Sequence, residues 1–196
     1  MIKRRFTEYD GKDDLKTMLQ ASYEPTKDAE KTLSNAGYKM DKELSNMNTK
    51  VFTDAFGKPH MTFRGSKNIL DWVRDDPLIA LGLGSYAPRV QQAKAITKKV
   101  EAKYKQPVDV FGNSLGGALA ERSGAGGKII THNKAVAFTD IGKTIQKKQT
   151  DVRTLNDPVS LLSLTQKHQG KFFNTPATMG LLDAHYYTAL PNGFMV

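Results

Sequence analysis

Apolar positions are sparse at the start of the chain and then gather into short, closely spaced runs. Residues 12–21 (KDDLKTMLQA) and 28–46 (DAEKTLSNAGYKMDKELSN) join helix formers to few apolar positions, so residues 1–47 read as a polar, mostly helical lead-in. TKVFTDAFGKPHMTFRGS, residues 49–66, holds two β-type runs around Gly57-Lys58-Pro59, the pattern of a hairpin. NILDWVRD follows as a short helix and PLIALGLGSYAP as an irregular apolar connector. In RVQQAKAITKKVEAKYK, Val90, Ala93, Ile96, Val100 and Tyr104 fall on one helical stripe with most lysines off it. That spacing predicts a long amphipathic surface helix. It should stop at Gln106-Pro107, because the residue before proline is biased away from helical geometry.

Beyond the proline the pattern changes to strand, helix, strand. VDVF (108–111) reads as a buried strand, SLGGALAERSG as a helix closed by glycine, and GKIITHN and KAVAF as further strands. VRTLND and a segment ending in LLSL follow, and the chain finishes in glycine- and proline-rich loops. Strands alternating with helices predict a mainly parallel central sheet with helices on both faces, an α/β layout. With 196 residues, 39% of them apolar, the chain suits one domain over 1–196, and it carries no internal repeat or low-complexity tract.

Composition removes some functions. Cysteine is absent, so neither a disulfide framework nor a thiolate metal site can form. Four scattered histidines with no HExxH leave nothing at metal-ligand spacing, and no metal or other cofactor is expected. The start, MIKRRFTEYDGKDDL, turns acidic where a signal peptide needs its apolar region. PLIALGLG falls well short of the ~20 residues that cross a bilayer. The expectation is therefore a cytoplasmic protein whose membrane contact is peripheral. A net charge of +9 and a pI near 9.6 call for an anionic partner, but charge alone does not choose between nucleic acid, lipid headgroup and acidic protein.

The chemistry concentrates in VDVFGNSLGGALA, residues 108–120. In a strand–turn–helix with the pattern GxSxG, the serine occupies a strained bend where side chains at either glycine would strike backbone. Gly112 and Gly116 thus leave Ser114 at the sheet's C-terminal edge, facing the amides and dipole of the following helix. AFTDIGKT (137–144) fits a loose phosphate-loop pattern, but Gly142 is its single glycine; it reads as a loop before the basic segment KTIQKKQTD.

Four segments in order resemble the class 3 lipases, the α/β-hydrolases that include fungal triacylglycerol lipases. GNSLGGALA (112–120) is similar to the serine motif, with Asn113 where the family usually has histidine. MTFRGSKNILDWVRD (61–75) resembles the strand ending in FRG and a serine or threonine; VRTLNDPVSLL (152–162) resembles the segment of the catalytic acid; DAHYY (183–187) resembles that of the late histidine. The compact, cysteine-free chain looks more like small lipase-like proteins of large DNA viruses.

The resemblance implies an α/β-hydrolase fold and a triad of Ser114, Asp157 and His185, in that family's chain order. It implies an oxyanion hole from Ser66 and the Leu115 amide, and a lid or substrate region containing Ile69, Leu70 and Trp72. Asp157 also suits a turn before Pro158, with Asp140, Asp151 and Asp183 as rival acids; His60, His132 and His168 are rival bases. Ser66 also suits a helix cap, and the apolar residues near the mouth also suit core packing. The expected partners are a lipid ester, an anionic membrane surface and viral capsid proteins, with no nucleic acid. The competing expectation is a hydrolase-fold binding or virion component with little or no activity.

Overall fold

The computed structural model describes residues 14–66, 87–176, 183–192 and 194. Two helices lead in, α1 (Leu15–Tyr23) and α2 (Thr26–Asn35). They are followed by β1 (Lys39–Met40), β2 (Thr49–Thr53), β3 (Pro59–Phe63), the long helix α3 (Ala87–Tyr104), β4 (Asp109–Asn113), α4 (Leu115–Arg122) and β5 (Ile129–His132). The rest comprises β6 (Thr144–Ile145), β7 (Gln149–Thr154), β8 (Lys167–His168) and β9 (Lys171–Thr175), with short 3-10 helices at Phe138–Asp140, Leu161–Thr165, Asp183–His185 and Tyr187–Ala189.

The main sheet runs β1-β2-β3-β4-β5-β7-β9, and β6 pairs with β8 apart from it. β1, β2 and β3 are antiparallel, joined by a hairpin whose turn places Gly57 at φ +80°. From β3 onward every neighbouring pair is parallel. Strands that follow chain order in a parallel sheet, each crossover right-handed, carry their connecting helices on one face. Accordingly α3 and α4 bury Ala93, Val100, Leu115 and Leu119 against Val51, Met61 and Val110. On the other face α1 and α2 bury Leu15, Met18, Leu19 and Leu33 against Phe52, Phe111, Ile130 and Val152. The two-residue period of a strand sends Val110 to one core and Phe111 to the other. Burying a side chain of that size contributes about 1.5–3 kcal/mol. The α3 stripe faces inward as its spacing predicts, while Lys94, Lys98 and Lys99 are exposed.

Several segments depart from the pattern-based expectation. The second lead-in helix ends at Asn35 rather than continuing to 46, because Gly37 at φ +88° closes it: the Gly37 and Tyr38 N–H groups donate to Ser34 O (3.1 Å) and Leu33 O (2.9 Å). KAVAF is not a strand: residues 134–137 are a buried coil, and Phe138 is exposed at the start of a 3-10 helix. Asn133, at φ +43°, turns the chain out of the sheet, and the Ala135 N–H donates to Ser114 O at 3.1 Å, so the segment braces the neighbouring turn. LLSL belongs to a 3-10 helix, and the stretch read as terminal loops contains β9, an edge strand with Lys171, Phe173 and Asn174 exposed. Finally, the Leu15 N–H donates to Phe194 O (3.1 Å), while Lys16 Nζ donates to Leu190 O (2.9 Å) and Asn192 Oδ1 (2.8 Å).

Candidate active site

Ser114 lies between β4 and α4 at φ 58°, ψ −123°, a backbone conformation that costs on the order of 1–3 kcal/mol for a residue with a side chain. The surrounding glycines explain how the turn fits. A Cβ on Gly112 would stand 2.2 Å from Gly116 backbone, and one on Gly116 would stand 2.2 Å from Phe63 O and 3.0 Å from Gly65 N. The end of β3 therefore runs directly against the first turn of α4. This brings the 63–66 segment carrying Ser66, which is partly exposed, alongside the helix that starts at Leu115.

Asp157 and His185 are brought together by chain segments far apart in sequence. His185 sits in a 3-10 helix, and its Nδ1 is 2.8 Å from Asp157 Oδ1, with both side chains buried. Asp157 also begins the turn that its proline predicts: the Val159 and Ser160 N–H groups donate to its Oδ1 (3.3 Å) and Oδ2 (2.8 Å). Turn former and histidine partner are the same carboxylate. Buried Arg153 holds that turn from behind, donating through Nε to Ser160 Oγ (3.1 Å) and through Nη2 to Asp157 O (3.3 Å). Burial alone raises the Asp157 carboxyl, but hydrogen bonds from His185 and Ser160 outweigh it and hold the group below the usual carboxylate range. Asp157 is thus kept as an anion facing His185 Nδ1, and His185 Nε2 is left for other work. Ser114 Oγ and His185 Nε2 are both buried without a hydrogen-bond partner among the described residues. Orphaned buried groups of this kind cost stability, which makes them candidates for function.

The rivals have other occupations. Asp140 pairs with Arg122, and Asp151 lies in a buried network with Lys134 (2.9 Å), Thr131 Oγ1 (2.6 Å) and Gln149 Nε2 (2.8 Å). Lys134 reaches Glu121 as well, at 2.5 Å. Asp183 is exposed at the start of the His185 helix. Among the histidines, His60 stacks on Phe52 within the core near Asp54, and His168 faces Asp151 at 3.3 Å. His132 is fully buried next to the His185–Asp157 couple, between Asn113 and Thr154. Ile69, Leu70 and Trp72 lie outside the described residues.

Sequence reasoning missed the surroundings of the serine turn. The Tyr23 hydroxyl, from the end of α1, accepts from Asn113 Nδ2 at 3.0 Å, and a Cβ on Gly65 would fall 2.3 Å from it. Tyr23 stacks on Tyr187 with ring centroids 5.6 Å apart. The lead-in thus reaches the site itself. Among the described residues no group of three or more His, Asp or Glu side chains is placed to hold a metal ion, and no helix is long and apolar enough to cross a membrane.

No protein-family model matches the chain, and no curated protein sequence does either. Solved structures do match. A mutant form of MDLA from Penicillium cyclopium aligns with a TM-score of 0.51 at 18% identity, over 87% of this chain and 82% of that one. The Lip2 lipase of Yarrowia lipolytica aligns with a TM-score of 0.49 at 15% identity, over 72% of this chain and 67% of that one. The Rhizomucor miehei lipase, in its propeptide complex, aligns with a TM-score of 0.47 at 18% identity, over 79% and 66%. At these identities the likeness is one of fold: the mainly parallel α/β-hydrolase sheet that the four motif segments imply.

Proposed function

We propose that the protein is a serine hydrolase that cleaves carboxylic esters of lipids through Ser114, His185 and Asp157. The observation that carries this reading is the buried His185–Asp157 pair, at 2.8 Å, in a molecule that also strains Ser114 onto a turn with its Oγ unpartnered. A serine hydroxyl is a weak nucleophile until a base takes its proton, and the base needs a third group to orient its ring and stabilise its cation. In the proposed reaction Ser114 Oγ attacks the ester carbonyl while His185 Nε2 accepts its proton and passes it to the leaving alcohol. Asp157 fixes the tautomer by holding Nδ1–H. The tetrahedral oxyanion is met by the Leu115 N–H at the start of α4 and by Ser66 at the end of β3. Water, deprotonated by His185, then releases the acid from Ser114.

Support for a lipid substrate comes from the surface beside the acid. In the 3-10 helix after Asp157, Leu161 and Leu164 are three residues apart, so they eclipse on one side, and each is more than half exposed. Exposed Ile141 adjoins them, because the Gly142 N–H donates to Thr165 O at 3.2 Å. Lys143 and Lys167 flank the patch where β6 and β8 meet. Apolar side chains flanked by lysines suit an anionic lipid surface, to which a cation free of a protein partner adds about 1 kcal/mol.

The test compares wild-type protein with Ser114→Ala on p-nitrophenyl esters of rising chain length, in solution and in anionic vesicles. Turnover should fall at least about 10³-fold in the variant, and wild-type turnover should rise at the vesicle surface. Equal rates in the two folded proteins, or stoichiometric failure of a fluorophosphonate to label wild-type Ser114, would overturn the assignment.

A further inference from the structure

Beneath the site an unbroken line of side-chain hydrogen bonds crosses the ends of three parallel strands. Tyr23 Oη accepts from Asn113 Nδ2 (3.0 Å), Asn113 Oδ1 meets His132 Nδ1 (2.7 Å), and His132 Nε2 meets Thr154 Oγ1 (3.2 Å). Asn133 Nδ2 donates to Thr154 Oγ1 (3.3 Å) and to the main-chain carbonyl of Ala184 (2.7 Å), while Asn133 Oδ1 accepts the Thr154 N–H (2.7 Å). Asn113, His132, Asn133 and Thr154 are all fully buried. One end of the line touches the serine turn and the other grips the residue before His185. The main chain adds a further tie, because the Ser114 N–H donates to His132 O at 3.0 Å.

The orientation of the Asn113 amide sets the sense of the line. With its amide N–H turned to Tyr23, Asn113 presents an oxygen to His132, so His132 Nδ1 carries the proton and Nε2 accepts from the Thr154 hydroxyl. Burial, reinforced by nearby His185, lowers His132 to about 3, so the ring stays neutral. That neutrality matters for a base that becomes cationic during turnover. A second charged imidazole beside His185 would oppose its protonation.

We infer that Asn113, His132, Thr154 and Asn133 form one positioning unit, which sets the His185 loop against the Ser114 turn across the ends of β4, β5 and β7. The inference rests on the serine-hydrolase reading above. Ser114 and His185 have no hydrogen bond of their own to align them among the described residues, so their relation depends on what holds each from behind. None of the four touches substrate. They act through the backbone at Ser114 and Ala184.

The test uses Thr154→Val, which keeps the shape and loses the hydroxyl, and Asn133→Asp, which keeps the acceptor for Thr154 N–H and loses the donor to Ala184. Asn133→Gly serves as a second variant at that position, since glycine accepts its φ of +43°. Each substitution should lower kcat about 10–100-fold, as misplacement by about 1 Å does. KM should stay within about threefold, because a displaced base weakens the chemical step and not substrate binding. Fluorophosphonate capture by Ser114 should slow to the same degree. Thr154→Ser, which restores the hydroxyl, should recover most of the loss. The Thr154→Val, Asn133→Asp double variant should fall little below the worse single one, because the residues act as a unit. Unchanged kcat in folded variants, or two losses that simply multiply, would overturn the inference. Wild-type protein that neither turns over ester nor takes up the phosphonate would instead defeat the hydrolase reading itself.

Discussion

Gly116 shows how closely the local chemistry is constrained. Its missing Cβ is where the Phe63 carbonyl sits, 2.2 Å away, and backbone on both sides leaves nothing flexible to yield. Gly116→Ala should therefore destabilise the fold by about 3 kcal/mol or more, which places it among overpacking substitutions at a rigid contact. Gly124, by contrast, has open space around its Cβ direction, so Gly124→Ala meets only the cost of φ +77°, about 1 kcal/mol. Urea unfolding of the two variants checks the ranking. Ser114 was legible in the sequence because the spacing of glycines about it states a steric requirement. Asp157 was legible as a turn former and as a candidate partner for a histidine, and one carboxylate takes two backbone donors and the His185 imidazole. Asn133 and Tyr23 were not legible. Their roles depend on the register that sets Asn113 opposite His132 and on the docking of α1, neither of which any local pattern encodes.

Among the elements, α1 bears most on the site. Asp14 caps it, accepting from the Lys16 and Thr17 N–H groups (3.1 and 3.4 Å), and the helix ends at Tyr23, whose hydroxyl meets Asn113. Asp14→Ala should cost about 1 kcal/mol, which for a chain of this size lowers Tm by about 2–4 °C. Thermal denaturation measures it. The elements that periodicity predicted well, α3 and β4, have either a long apolar stripe or a short, fully buried run centred on Val110 and Phe111. β9 escaped because an edge strand exposed on both sides lacks alternation, and KAVAF misled because the buried coil at 134–137 is as apolar as a strand. The break after Asn35 turned on one glycine in a left-handed conformation within an otherwise helix-forming segment.

For the whole molecule, two buried groups near the site predict the response to acid. His132 has its pKa lowered from 6.5 to about 3 in the folded protein, and Asp157 is held below 3.8. In each case the unfolded chain binds the proton first as pH falls. The stability these two groups confer should therefore be full above about pH 6.5 and be lost progressively toward pH 3, with His132 responsible for a loss on the order of a few kcal/mol. Urea midpoints at pH 7, 5 and 4 test this, and His132→Gln should flatten the decline between pH 6.5 and 4. The overall arrangement was readable as a class from alternating strands and helices. Nothing in the +9 charge disclosed that Lys134 is buried between Glu121 and Asp151, because pairing across β5, β7 and α4 is a property of the assembled sheet.

The bond between Leu15 N–H and Phe194 O closes the described chain nearly into a ring. Joining these two places by a short loop would confine the unfolded chain while asking little of the folded one. New ends can then open at the exposed Ala55–Gly57 turn, far along the sheet from β5 and β7. Such a circular permutant would keep every residue of the site in its present setting while reversing which half of the sheet is synthesised first. The arrangement makes this protein suited to asking whether order of synthesis matters to building a strained serine turn.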